Sequence, residues 1–207
     1  IAMLARSRRS FASRLSAKIS VIADGGGALC LDDVSADIRL RATDDPGGSF
    51  HVALGGNASS ATQFGAVAAD RAVECIVRLL KVLAGRAPQG RMRDVLNNDG
   101  LAAFAAAVVD LIAPMAPPKP RSARPIGAHR LLAGDVAIGV GLPFGHSDAE
   151  TIVALIDTAR RVGASGVRTA PGRALLVVGL SPPAAQELRE QVMALGLIVD
   201  PDDPRRK

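Results

Sequence analysis

The sequence predicts an α+β fold, with a ferredoxin-like β-α-β-β-α-β half-domain over residues 126–207 that follows the end of an α/β domain. Two observations support this prediction. Residues 135–200 alternate strand patterns with helix patterns in that order. Upstream, four prolines stand within residues 114–120, and such a run excludes a helix or a central strand. We therefore place a stiff linker at 114–125 and assign 1–113 to the preceding domain.

The half-domain opens with a strand in which Val136, Ile138 and Val140 alternate with small residues. A helix follows, because apolar residues recur at helical spacing after the break that the Leu-Pro-Phe-Gly segment makes. Ser147 is its predicted N-cap. Gly163 is suited to ending the helix, since glycine readily adopts the left-handed conformation found there.

The second part of the half-domain is two strands, a helix and a strand. The strands Val167–Thr169 and Arg173–Val178 are joined by a turn at 170–172, in which Pro fixes φ and Gly permits a positive φ. The second helix carries prolines in its first turn and ends at Gly196. The last strand is short, Leu197–Val199.

The preceding domain is predicted to contain three strands and two helices. The strands are Ile19–Ala23, Asp37–Ala42 and Phe50–Leu54, with turns rich in Gly and Asp between them. Residues 66–84 show the apolar stripe of an amphipathic helix, and the alanine-rich run 99–112 shows a second one.

The charge distribution argues against a nucleic-acid partner. The net charge is +5 and the isoelectric point about 10.0. However, residues 1–24 hold five basic groups and one acid, and residues 205–207 hold three more basic groups. The intervening residues are left with 17 basic and 19 acidic groups. Nucleic-acid binding favours clustered cations with stacking aromatics, and aromatic residues make up only 2% of this chain.

Localisation is predicted to be cytoplasmic, without a membrane partner. No apolar run approaches the ~18 residues that a transmembrane helix needs. The two cysteines, Cys30 and Cys75, have no metal-ligand spacing, and their apolar neighbours predict buried structural thiols.

Other polar motifs are interpreted as structural. Asp24 and the three glycines that follow it lack the Lys-Ser/Thr of a phosphate-binding loop and predict a hairpin turn. Asp32 and Asp33 are predicted to be turn or cap residues. The histidines have no acidic partner at catalytic or metal spacing; they are His51, His129 and His146. No catalytic residue and no metal ligand is therefore predicted.

The order of several motifs resembles precorrin-3B synthase, a family of the nitrite/sulfite reductase superfamily. The motifs are Gly-Leu-Pro-Phe-Gly (141–145), Val-Arg-Thr-Ala-Pro-Gly-Arg (167–173), Ala-Leu-Leu-Val-Val-Gly (174–179), the segment 195–206, Lys-Ile-Ser-Val-Ile-Ala-Asp-Gly-Gly-Gly (18–27), and the segment 31–42. Together they favour the cobalamin-pathway branch over the true sulfite and nitrite reductases.

This resemblance implies a particular activity. Precorrin-3B synthases are O2-dependent monooxygenases that hydroxylate precorrin-3A and form a lactone, using a 4Fe-4S cluster and electrons from a reduced donor. Non-haem iron is a further cofactor that the resemblance leaves open. Residues 1–113 would be the C-terminal part of the first sirohaem/Fe–S-like domain. The four cluster cysteines of the family follow the Pro-Arg-Arg segment, whereas this chain ends at Lys207. We therefore expect an internal fragment that needs the missing C-terminal domain of the same enzyme and is inactive alone.

Two alternatives remain open at this point. One is a fragment of a sirohaem-dependent sulfite or nitrite reductase, which shares the fold and differs in cofactor. The other is a non-catalytic module that binds a tetrapyrrole or a partner domain without redox chemistry.

Four arginines are the candidate substrate-binding residues. Arg168 and Arg173 flank the predicted turn, where a guanidinium can project into a cleft. Arg39 and Arg41 are two positions apart on one strand, so their side chains share a face. Guanidinium groups pair with carboxylates through two parallel hydrogen bonds, and the tetrapyrrole substrate implied by the resemblance carries many carboxylates.

Overall fold

The computed structural model describes residues 11–131 and 133–206. It divides into two compact units, Ile1–Ser122 and Ala123–Lys207. The boundary between them falls inside the proline-rich segment. Each unit packs helices against a β-sheet, so the predicted α+β class is confirmed.

The first unit contains a five-stranded sheet in the order β1-β2-β3-β4-β5. Strand β1 is parallel to β2, and the other neighbours are antiparallel. The strands are β1 (Val21–Asp24), β2 (Ala36–Ala42), β3 (Ser49–Gly56), β4 (Thr62–Ala68) and β5 (Ile112–Ala113). The helices are α1 (Ala72–Arg86), α2 (Met92–Asp99) and α3 (Ala102–Val108).

Alternation along β2 and β3 gives this sheet two different faces. Ile38 pairs with Leu54 and Leu40 with Val52, and all four side chains are buried in the core with the helices. The intervening residues point to the opposite face, because successive side chains of a strand alternate between faces. That helix-free face carries the polar side chains described below.

The helix predicted at 66–84 was wrong in its first part. Residues up to Ala68 form β4, and the helix begins only at Ala72. Gly65 has a φ of +125°, and a side chain at this position would meet the carbonyl of Ala113 at 2.6 Å. The pairing of β4 with β3 and β5 therefore determines the local structure, and helical periodicity does not report such pairing.

The helix predicted at 99–112 is present but shorter, since it covers only Ala102–Val108. Gly100, with a φ of +70°, separates α2 from α3, and Ile112–Ala113 forms the edge strand β5. The glycine-rich segment after Asp24 is not a hairpin. A hairpin joins antiparallel strands, whereas β1 and β2 are parallel.

Asp37 joins strand β2 to the start of α2. Its carboxylate accepts hydrogen bonds from Arg91 Nη2 at 2.9 Å and from the main-chain N–H groups of Met92 and Ser20 at 3.0 Å each. Burial raises the pKa of Asp37, but these hydrogen bonds outweigh burial and hold the pKa below its usual value of 3.8.

Stability is therefore expected to fall in acid. A carboxyl whose folded pKa is depressed contributes stability above its unfolded pKa, and that contribution is lost as the pH falls through the folded value. Urea unfolding of the wild type and of Asp37→Asn should show a stability difference that is constant near neutral pH and narrows below about pH 4. A difference that does not change with pH would contradict the assignment.

The second unit contains a four-stranded antiparallel sheet in the order β6-β7-β9-β8, packed on two helices. Its elements are β6 (Gly127–Arg130), β7 (Val136–Gly141), α4 (Ala149–Arg161), β8 (Gly166–Ala170), β9 (Ala174–Leu180) and α5 (Pro182–Ala194). The predicted β-α-β-β-α core is present, and the ferredoxin-like class is confirmed.

Four details of the second unit differ from the sequence prediction. The predicted last strand is a single antiparallel bridge between Ile198 and Gly141, and β6 was missed. Both lie along the same edge of β7, so β6 takes part of the edge that a longer last strand would fill. Asp148 rather than Ser147 caps α4, accepting a hydrogen bond from Thr151 N. Arg173 lies in the turn, with a φ of +59°, and not in a strand.

Across the residues that the structure describes, no helix combines the length and the apolar character needed to cross a lipid bilayer.

Candidate functional site

The candidate site of the first unit lies on the helix-free face of its sheet. Arg39 and Arg41 share this face, as predicted from their spacing, and Arg41 is directly opposite His51 on β3. The three side chains are fixed by strand pairing on a buried sheet. The site is therefore built on a rigid element rather than on a mobile loop.

Asp32 organises the arginines. Only 2% of this residue is exposed. Its Oδ2 accepts hydrogen bonds from Arg41 Nη1 at 3.0 Å and from the main-chain N–H of Arg121 at 2.7 Å. Its Oδ1 lies 3.7 Å from Arg39 Nη2. A segment that sequence analysis interpreted as a turn therefore supplies the central carboxylate of a buried charge cluster.

The guanidinium of Arg39 makes its hydrogen bonds within the first unit. It is buried, and its two terminal nitrogens donate to the main-chain carbonyls of Val34 and Leu31. Arg41 is more accessible, with 16% of its side chain exposed, and donates also to the carbonyl of Lys119 at 2.9 Å. Arg39 thus supports the segment that carries Asp32, whereas Arg41 reaches the surface.

Arg121 closes the cluster from the proline-rich segment. Its Nη1 donates to the carbonyls of Gly26 and Gly27 at 3.1 and 3.3 Å, and its Nη2 lies 3.5 Å from Asp24 Oδ2. Asp24 is also buried and accepts hydrogen bonds from Gly26 N and Leu31 N. The glycine loop is thus folded around the Asp24 carboxylate, which accepts from the N–H of Gly26, while the guanidinium of Arg121 donates to the loop's carbonyls.

A cavity of about 320 Å³ opens beside this cluster. Its polar lining includes Arg41, His51 and Arg121, with Asp44 exposed at its rim. His51 is 4% exposed, and its Nε2 finds no hydrogen-bond partner among the described residues. Burial and then the positive charge of Arg41 lower the pKa of His51 below its usual 6.5, so the imidazole is neutral at pH 7.

The candidate residue of strand β8 is Arg168, which is exposed. It pairs with Leu176 on the face opposite to Val167 and Val177, whose side chains pack on the helices. Arg168 therefore also lies on the helix-free face of its sheet. Within the part of the chain that the structure describes, its guanidinium makes no hydrogen bond.

Arg173 lies at the end of the same sheet, in a strained backbone conformation. It is exposed, and its side chain passes over Gly145, where an added Cβ would be 2.8 Å from Nη1. Phe144 beside it also has a positive φ, +52°, and is 61% exposed. Non-glycine residues in this region cost of order 1–3 kcal/mol and cluster at functional sites. Two residues with a positive φ, Phe144 and Arg173, lie in turns that contact each other. This end of the sheet is therefore a candidate functional site.

Both cysteines are buried and free, as predicted. Burial raises the pKa of Cys75 to about 11, so this thiol stays protonated at neutral pH. Cys30 donates to the main-chain carbonyl of Arg121. Over residues 11–131 and 133–206, no group of three or more His, Cys, Asp or Glu side chains is arranged to hold a metal ion.

Arg41 was thus predicted from the sequence as a site residue, whereas Asp24, Asp32, His51 and Arg121 were not. The alternation of β2 was sufficient to place Arg41 on one face. His51 becomes its neighbour only through the strand register, and Arg121 only through the return of the proline-rich segment. Neither relation leaves a signal in local sequence.

A solved structure is similar to this chain over most of its length. The NirA protein of Mycobacterium tuberculosis matches 85% of this chain and 36% of that chain, with a TM-score of 0.73 and 22% sequence identity. At this identity the similarity establishes the fold alone. The matched residues of this chain share the fold of NirA.

The sequence comparison is more specific. No protein-family model matches the chain. Precorrin-3B synthase of a Sinorhizobium species is 32% identical over 193 residues, which cover 93% of this chain. The chain is similar in sequence to precorrin-3B synthase, and the resemblance found in its motifs is confirmed. It spans 41% of the length of that relative.

Proposed function

We propose that this chain is the tetrapyrrole-binding part of a precorrin-3B synthase that acts on precorrin-3A in aerobic cobalamin biosynthesis. The observation that carries the proposal is the sequence match to a precorrin-3B synthase over 93% of the chain. In the proposed reaction, one atom of O2 enters the substrate as a hydroxyl group. The other atom is reduced to water by two electrons from the donor and two protons. A carboxyl oxygen of the substrate then adds to a ring carbon that is double-bonded to nitrogen, the nitrogen takes up the carboxyl proton, and the lactone closes without loss of an atom.

In this proposal the arginines bind and orient the substrate. Arg168 and Arg173 are exposed, and their guanidiniums make no hydrogen bond within the described residues, so both can bind substrate carboxylates. Arg41 is held by Asp32 and keeps part of its side chain accessible. Arg39, whose donors are taken by main-chain carbonyls, has a positioning role behind Arg41. Fixed cations orient the substrate before the reaction begins.

The iron–sulfur cluster must come from outside this chain. A 4Fe-4S cluster takes four thiolates, and this sequence contains two cysteines, both buried. When bound, the cluster would supply electrons. The proposed partners are the missing parts of the same enzyme and a reduced electron donor. The proposed oxygen-activating centre is non-haem iron, or sirohaem in a reductase relative.

Substitution of the second-unit arginines tests the proposal. Arg168→Ala and Arg173→Ala should each weaken binding of precorrin-3A about tenfold or more, because each removes charge-assisted hydrogen bonds to carboxylates. Affinity is measured by absorbance titration of the full chain. Arg160→Ala is the matched control, since Arg160 is an exposed arginine on α4, the helix layer of the same unit, and should bind like the wild type.

Turnover is the second measurement. The cluster-containing holoenzyme, supplied with precorrin-3A, O2 and a reduced donor, should yield a product heavier by one oxygen atom. Failure of the wild-type chain to bind precorrin-3A, or equal affinity in all three variants, would refute the proposed role of this chain.

A further inference from the structure

We propose that the cavity beside Arg41, His51 and Arg121 is a binding site for one carboxylate group, separate from the contacts of Arg168 and Arg173. The inference rests on the proposed function only for the source of that carboxylate, an acidic side chain of the tetrapyrrole. Charge, buried donors without hydrogen bonds and a cavity define the site itself.

The buried cluster carries an uncompensated positive charge. Three guanidiniums, those of Arg39, Arg41 and Arg121, face two carboxylates, those of Asp24 and Asp32. His51 is neutral and adds nothing to the balance. The excess charge is partly in contact with water, since 35% of the Arg121 side chain is exposed, and a bound anion would neutralise it.

Several polar atoms of the cluster also lack partners. His51 Nε2, the Nε and Nη2 atoms of Arg121 and the Oδ1 atom of Asp32 are buried and make no hydrogen bond to any described residue. The two Arg121 atoms lie 4.0 Å from Asp32 Oδ2 and 3.5 Å from Asp24 Oδ2, which are ion-pair and not hydrogen-bond distances. Nε2 of a neutral imidazole donates a hydrogen bond in one of its two tautomers, and both arginine atoms are obligate donors. Buried donors without a hydrogen bond are rare in folded proteins, and the two residues that carry them here, His51 and Arg121, both line one cavity.

The size and the chemistry of the cavity suit a carboxylate. Its volume of about 320 Å³ accommodates a propionate-sized side chain, and it is open to solvent beside the exposed Met115. A planar guanidinium pairs with a planar carboxylate through two parallel hydrogen bonds. Asp44 at the rim is the acidic side chain among the cavity-lining residues, and because it is exposed its charge is screened by water.

Imidazole NMR of the full wild-type chain is the primary test. Propionate is the free-carboxylate probe, and uroporphyrin, a stable tetrapyrrole with eight carboxylates, is the tetrapyrrole probe. We expect propionate to shift the ¹⁵N signals of His51 in a saturable manner, while equal ionic strength of sodium chloride does not. His129 and His146, which lie in the other unit, are internal controls that should not respond to propionate.

Two variants with opposite expected effects on propionate affinity test the role of charge in this site. Arg41→Gln should weaken propionate binding about tenfold or more, since it removes a charged donor. Asp44→Asn should strengthen binding by a few-fold, because it removes a like charge from the rim. If Arg41→Gln does not fold, Asp44→Asn and the wild-type titration still decide the question.

The outcomes of these experiments distinguish a failure of this site from a failure of the proposed function. Competition between uroporphyrin and propionate at His51 would assign the carboxylate to a tetrapyrrole, whereas propionate binding without competition would assign it to a free small carboxylate. A His51 signal that does not move with propionate, or that moves equally with chloride, overturns the site even if precorrin-3A binds elsewhere. Tighter binding of phosphate than of propionate would overturn the carboxylate assignment.

Discussion

Replacing Asp32 with alanine is expected to destabilise the chain by about 3–5 kcal/mol, the range observed when one member of a buried ion pair is removed. Asp32 is the carboxylate that Arg41 and the main chain of Arg121 share, and Arg39 is close by. Without it, the positive charges of the buried cluster face a single carboxylate, that of Asp24. Hydration cannot fully replace Asp32 at a position only 2% exposed.

Asp33→Ala provides a matched control for this experiment. Asp33 is the adjacent residue and is exposed, so its replacement should change the free energy of unfolding by no more than about 0.5 kcal/mol. Because the chain contains neither Trp nor Tyr, urea unfolding should be followed by circular dichroism. Similar stabilities for the two variants would show that the cluster does not hold the first unit together.

Asp32→Ala should also alter the carboxylate site. The variant removes one of the two acceptors of Arg41 Nη1 and leaves the carbonyl of Lys119, so the guanidinium is held less firmly even where the protein stays folded. Asp32 is therefore a positioning residue, which acts on a ligand through Arg41. Any propionate binding that remains should depend less on Arg41 than in the wild type.

Local sequence was sufficient for the elements whose structure is decided locally. Strand β7 and the helices α4 and α5 were predicted because alternation, helical spacing and Pro or Gly boundaries agree along each segment. Strand β4 was not predicted, because its apolar residues Ala66 and Val67 fit a helix as well as a strand, and only pairing with β3 distinguishes the two. Register and pairing are long-range relations that single-residue patterns do not contain.

The same distinction explains the candidate site. Arg39 and Arg41 were predicted to share a face, and they do. The prediction did not separate their roles, because burial depends on the segment that covers the sheet. That segment engages the guanidinium of Arg39 through the carbonyls of Leu31 and Val34 and leaves part of Arg41 accessible.

In both units a candidate arginine lies on the side of the sheet away from the helices. Arg41 occupies that face of β2, and Arg168 occupies that face of β8. The helices cover one face of each sheet with apolar contacts, so the other face is free to carry charged side chains at fixed spacing. In each unit the apolar side chains of one face pack on the helices. Strand alternation then places the charged side chains on the other face.

Gly139→Ala is expected to destabilise the second unit by at least about 3 kcal/mol, at the upper end of the range for overpacking. Gly139 lies in the middle of β7, between its partners Gly127 and Leu176. A Cβ at this position would overlap the carbonyl oxygen of Pro125, and it would lie 2.6 Å from the carbonyl carbon of that residue. These atoms belong to the main chain, so rotation of a side chain cannot relieve the overlap.

Gly166→Ala is the control in the same sheet. An added Cβ there would be 4.0 Å from Val178 Cγ2, an ordinary contact, so the free energy of unfolding should stay within about 1 kcal/mol of the wild type or rise slightly. Thermal and urea unfolding would give both values. Hydrogen exchange should locate the loss in Gly139→Ala to β6 and β7, while the first unit keeps its protection. Equal stability of the two alanine variants would mean that the main chain at Pro125 can move away from β7 at little cost. The close contact between Pro125 and Gly139 would then not stabilise the packing of this segment on the sheet.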